Sequence, residues 1–169
     1  TRWIEKVHVR EMDRVIQFAV AAAQMAVDDA GISFDGEKGD RAGSIVGVGL
    51  GGLATIEQTH LLLQEKGPRR ISPYFIPKLI ANLAPGQISI RFGARGVNYT
   101  PASACASGAT AIGEAFRNIR HGYQDAVIAG GTEAALCGLG IGGFIAMRAL
   151  STRNDDPERA SRPFDRNRD

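Results

Sequence analysis

Glycine supplies 21 of the 169 residues, in clusters at 47–52, 86–96, 108–113, 130–131 and 138–143. It is used where a backbone must turn with positive φ or pass close to another segment. That density implies tight strand–helix junctions around a pocket and not a flexible chain. Ser44-Ile45-Val46-Gly47-Val48 reads as a buried strand that runs into the turn Gly49-Leu50-Gly51-Gly52. Asp125-Ala126-Val127-Ile128-Ala129 reads as another, ended by Gly130-Gly131. Residues 97–102 read as a third, although Pro101 cannot donate to a ladder and points to an edge strand or a bend.

Helical patterns separate these runs. Over 13–30, Val15, Ile16, Phe18, Ala19, Ala22, Ala26 and Val27 form a broad apolar face, with Asp13 as N-cap and Gly31 as the C′ residue. Leu53 to Glu65 reads as a helix broken by Gly67-Pro68, and Pro77 and Pro85 suit first-turn positions of short helices at 77–83 and 85–92. A helix at 106–121 carries Ala109, Ile112, Phe116 and Ile119 on one face. The alternation is that of a layered α/β fold with mostly parallel strands.

Pro101-Ala102-Ser103-Ala104-Cys105-Ala106-Ser107-Gly108 places a cysteine where strand gives way to helix. Unpaired N–H groups and the helix dipole at such a start favour a thiolate, which makes Cys105 a candidate nucleophile. The same residue read as a small buried hydrophobe is the alternative. Cys105 and Cys137 make neither a disulfide framework nor a metal-binding spacing, and the three histidines are scattered. A net charge of +2 gives no global pointer to nucleic acid or anionic membrane. The apolar runs are too short to span a bilayer and no signal peptide opens the chain, so a cytoplasmic, reduced protein is expected.

Several stretches together resemble one family, the β-ketoacyl-acyl carrier protein synthases, in particular the elongating type II enzymes of fatty-acid synthesis. They are Val48-Gly49-Leu50-Gly51-Gly52, Ser72-Pro73-Tyr74-Phe75-Ile76-Pro77, Ser103-Ala104-Cys105, Ala129-Gly130-Gly131-Thr132-Glu133 and Gly142-Gly143-Phe144. The most telling is Arg148-Ala149-Leu150-Ser151-Thr152-Arg153-Asn154-Asp155-Asp156-Pro157, followed by Ala160-Ser161-Arg162-Pro163-Phe164-Asp165. They occur in the family's order and cover nearly the whole chain.

The resemblance implies a thiolase-like fold, with residues 1–169 an incomplete N-terminal half of an αβαβα layered architecture. The opening strand and the whole C-terminal half would be absent. It also implies that Cys105 accepts an acyl chain from acyl carrier protein before condensation with malonyl-acyl carrier protein and loss of CO₂. The backbone N–H of Cys105 would then be one oxyanion donor. Phe144 matches an aromatic gate to the acyl pocket, and Leu50, Tyr74 and Phe75 would line the acyl tunnel, although ordinary core packing accounts for each as readily. Arg148 and Arg10 match basic residues of the carrier-protein docking surface, Arg10 at the start of the first long helix. Glu11 departs from a position where a second basic residue is common.

No cofactor and no metal are implied, and a homodimer is. Cys137 and Glu133 have structural readings only, and His8, His60 and His121 do not fall on the family's catalytic histidines. Those histidines belong to the half that is missing, so this chain alone is expected to be inactive. The rival readings are a polyketide ketosynthase and a non-catalytic module for dimerisation or carrier-protein docking.

Overall fold

A computed structural model describes residues 2–169. Its centre is a parallel sheet of β1 (Ala42–Gly47), β2 (Asn98–Tyr99) and β3 (Ala126–Gly131) in the order β2-β1-β3. The helices are α1 (Lys6–Val9), α2 (Arg14–Ala30), α3 (Glu37–Asp40), α4 (Leu53–Lys66), α5 (Phe75–Leu79), α6 (Leu83–Phe92), α7 (Ser107–Arg120) and α8 (Gly138–Ala146). The strand–helix alternation expected from the sequence is therefore present.

β1 is buried along its whole length, and its two faces meet different layers. On one side Val46, with Val48 just beyond the strand, packs with Val15, Ile16, Ala19 and Val20 of α2 and with Ala84 and Ile88 of α6. On the other, Ile45 packs against Ala111 and Ala115 of α7. This is the period-two division of a strand between two helical layers. Each large aliphatic side chain so buried contributes about 1.5–3 kcal/mol.

Local signals explain where α2 begins and ends. The Asp13 carboxylate accepts from the Val15 N–H at 3.0 Å, and Gly31 closes the helix in the left-handed region at φ 62°. Thr55 of α4 donates to the other Asp13 oxygen at 2.5 Å, so one buried cap also ties two helices together. Across the sheet, Arg41 donates Nε and Nη2 to the Asp125 carboxylate, both at 2.7 Å, fastening the starts of β1 and β3.

Several expectations need correction. The third strand is only Asn98–Tyr99, so Pro101 lies beyond it and its missing N–H breaks no ladder; its carbonyl accepts from Val48 N. Gly130 and Gly131 do not stop β3 but complete it, paired with Val46 and Gly47. Pro77 and Pro85 do lie in first turns, each as the third residue, but the helices start two residues earlier than expected, and the first ends at Leu79 and not at 83. Arg10 is the C-cap of the short α1, four residues ahead of Arg14, where the long helix starts. Residues 142–144, in the glycine cluster at 138–143, are helical in α8.

Candidate active site

The ends of β1 and β3 and the start of α7 meet on three glycines. A Cβ on Gly47 would overlap the Ser107 carbonyl, and one on Gly131 would lie 2.8 Å from Gly108 Cα. Any side chain at either position would push the helix start off the sheet. With glycine there, α7 seats its first turn directly over the carboxyl ends of β1 and β3.

Cys105 belongs to the 3-10 turn Ala104–Ala106 immediately before α7, and it is exposed. The buried-hydrophobe alternative thus does not describe it. The turn is held from below by the buried Ser107. Its hydroxyl accepts from Ser103 N at 2.9 Å and donates to Ala104 O at 2.7 Å. Ser103 and Thr110 add a hydroxyl–hydroxyl bond of 2.8 Å. The turn's own bonds run from Ala106 N to Ser103 O and from Ser107 N to Ala104 O, passing over the N–H of Cys105. Ala104 has φ 51°, a left-handed conformation that costs a residue with a Cβ about 1–2 kcal/mol. The Ser107 bonds hold that strain in place next to the thiol.

Cys105 opens on a cavity of about 690 Å³ lined by Leu50, Phe144 and Met147, the glycines of the β1 and β3 ends, and the backbone around Thr132 to Ala135. This volume is in the range of a site for a ligand of drug or acyl-chain size. Glu133 is the charged residue of the lining. Its Oε2 accepts from the N–H groups of Gly49 at 3.0 Å and Leu50 at 2.8 Å. From α4, Glu57 accepts from Gly138 N and Leu139 N, capping α8, the helix that carries Phe144.

Cys105, Leu50 and Phe144 therefore share one cavity, while Tyr74 and Phe75 are not among its lining residues. Arg148 follows Met147 of the lining and is exposed, with φ 55°; Arg10 is exposed on α1. Cys137 is the half-buried N-cap of α8. His8, His60 and His121 lie outside the lining. Among the described residues no cluster could hold a metal ion, and no helix is long and apolar enough to cross a membrane. Two members of the site were not picked out from sequence. Ser107 carried a signal, a hydroxyl residue at a helix start; Glu133 carried another, a charge directly after a buried strand.

An exposed thiol on a strained turn, at a helix start and opening on an apolar cavity, is a candidate nucleophile on a layered α/β fold. The chain belongs to the family described as "Beta-ketoacyl synthase, N-terminal domain", whose profile matches residues 1–169. It is 47% identical over 169 residues to the 3-oxoacyl-[acyl-carrier-protein] synthase 2 of Synechocystis sp.. It is 49% identical over 166 residues to the protein of the same description from Staphylococcus aureus (strain N315). The match takes in 100% and 98% of this chain but 41% and 40% of those relatives' length.

Among solved structures, a β-ketoacyl synthase from Burkholderia phymatum STM815 superposes with a TM-score of 0.84 at 34% identity, over 99% of this chain and 41% of that one. The ishigamide ketosynthase/chain length factor does so with a TM-score of 0.75 at 31% identity, over 89% and 38%. The architecture is thus the first part of the thiolase-like fold of ketosynthases.

Proposed function

We propose that these residues are the nucleophile-bearing part of an elongating 3-oxoacyl-[acyl-carrier-protein] synthase. The observation that carries the reading is Cys105 itself, exposed on a pinned turn at the mouth of an apolar cavity. In this reading the Cys105 thiolate attacks the carbonyl of an acyl-carrier-protein thioester, and the carrier thiol leaves with the proton. Malonyl-carrier protein then binds and loses CO₂. The resulting carbanion attacks the acyl-Cys105 carbonyl, forming the new C–C bond and expelling the thiolate. Splitting the transfer through a covalent intermediate replaces one difficult step with two easier ones. The Cys105 N–H, passed over by the turn's bonds, suits the oxyanion, a contribution of about 3 kcal/mol per donor. Leu50 and Phe144 would contact the acyl chain, with Tyr74 and Phe75 further along its path.

Acyl carrier protein is the partner this chemistry requires, and Arg148 and Arg10 would meet its acidic surface. A second copy of the chain is the other partner. Ile112 and Phe116 on α7 are 59% and 61% exposed, beside Ile119, Tyr123 and Tyr99, an apolar face fit for an interface. The histidines, lysine and second oxyanion donor that complete the reaction belong to the remaining part of such enzymes.

Incubating the full-length protein with acyl-[acyl carrier protein] should leave one acyl group on the Cys105 peptide, read by mass spectrometry. Acylation at Cys137, or none, would overturn the assignment. A polyketide ketosynthase is the second reading, favoured by the likeness to the ishigamide ketosynthase. Preference for a polyketide carrier protein over a fatty-acid one would select it. A non-catalytic docking module is the third. Absence of the paired histidines from the complete reading frame would decide for that module.

A further inference from the structure

We propose that Glu133 is a positioning residue that sets the acyl selectivity of the Cys105 cavity by holding Leu50 in its wall. The proposal rests on the reading of Cys105 as an acyl acceptor. Glu133 is the second residue beyond β3, while Leu50 stands in the turn after β1, 83 residues away in sequence. Both backbone bonds end on one carboxylate oxygen, Oε2, at 3.0 Å from Gly49 N and 2.8 Å from Leu50 N. A carboxylate that accepts two N–H groups is a strong anchor for a turn of this kind.

The turn needs such an anchor. It runs Gly49-Leu50-Gly51-Gly52, so its own sequence gives it little stiffness, yet Leu50 is its one side chain and lines the cavity. Gly49 is fitted to the carboxylate, because a Cβ there would come within 2.8 Å of Glu133 Oε2. Glu133 is exposed and forms no ion pair among the described residues, so its hold on the chain is through these two backbone N–H groups. Released from Glu133, the glycine turn would carry Leu50 away from its place in the cavity wall and change the length of chain the cavity admits.

The test uses N-alkyl iodoacetamides, from methyl to dodecyl, on the full-length protein, with the rate of alkylation at Cys105 followed by mass spectrometry. These reagents report chain accommodation without needing the condensing reaction, so an inactive protein would refute the proposed function while leaving this measurement intact. Glu133→Ala is expected to change the dodecyl-to-methyl rate ratio by about five-fold or more. Glu133→Gln keeps an amide oxygen that can take both N–H groups, and should restore the wild-type ratio. In a Leu50→Ala background, Glu133→Ala should add nothing further. An unchanged ratio in Glu133→Ala would overturn the proposal, as would an equal shift in the Leu50→Ala background. Should Glu133→Ala not fold, Gly49→Ala displaces the carboxylate from the other side and is held to the same two outcomes.

Discussion

Gly47 lies directly beneath the Ser107 carbonyl, with no room for a single added carbon between β1 and the first turn of α7. Both sides of that contact are backbone, so neither can swing aside. Gly47→Ala is therefore expected to lower unfolding stability by about 2–3 kcal/mol, measured by urea denaturation, and to slow iodoacetamide labelling of Cys105. Wild-type stability in this variant would mean the helix start is not seated on the sheet.

Ser107 holds the Cys105 turn with one hydroxyl used as acceptor and donor at once. Ser107→Ala leaves Ser103 N without its partner, at an expected cost of about 1–3 kcal/mol. Ser107→Thr keeps the hydroxyl and should retain most of that stability. Equal losses in both would point to packing at this buried site and not to the bonds.

Ala104 is strained by design of the turn, at φ 51°. Glycine accepts that conformation freely, so Ala104→Gly should raise the unfolding free energy by up to about 1 kcal/mol. A denaturation midpoint at or below wild type would show that no strain is stored beside Cys105.

Arg41 holds the Asp125 carboxyl below its ordinary value of 3.8, chiefly through its hydrogen bonds and then by charge, with desolvation working the other way. A depressed folded-state value gives stability that is present above the ordinary pKa and is lost as pH falls through the folded one. The stability gap between wild type and Arg41→Ala should therefore shrink as the pH falls below the ordinary carboxyl value of 3.8. Calorimetry at stepped pH reads it directly; a gap that widens on acidification would contradict the pairing.

What the sequence disclosed, and what it hid, follows from which interactions are local. α2 was legible to the residue because Asp13 and Gly31 act within a turn of the helix they bound. The position of Cys105 was legible for the same reason. β3 was cut short because Gly130 and Gly131 look like a stop; they are strand residues whose missing side chains make way for α7, a neighbour distant in sequence. α8 was not assigned from the sequence because Gly138, Gly140, Gly142 and Gly143 are poor helix formers. Its start is fixed from outside by Glu57. The stripe of Ile112, Phe116 and Ile119 was correctly seen as one helix face, but Ala111 and Ala115 are what α7 turns toward the sheet. In the site, Leu50 and Phe144 came with family motifs, whereas the parts played by Glu133 and Ser107 depend on where distant backbone atoms end up.

The parallel pairing of β1 with β3 also dictates an order of events as the chain is made. Arg41 and Asp125, at the head of that ladder, are 84 residues apart. A fully buried strand must therefore wait, through the synthesis of α4 to α7, for the neighbour that completes its sheet, and such long-range closures are slow. Gly47 and Gly131 form the last rung, so the seat of the Cys105 turn is finished only after the ladder has zipped to its end. Until then the Cys105 thiol has no cavity wall behind it. For a ribosome-bound chain, assembly of the sheet and seating of the Cys105 turn are one step.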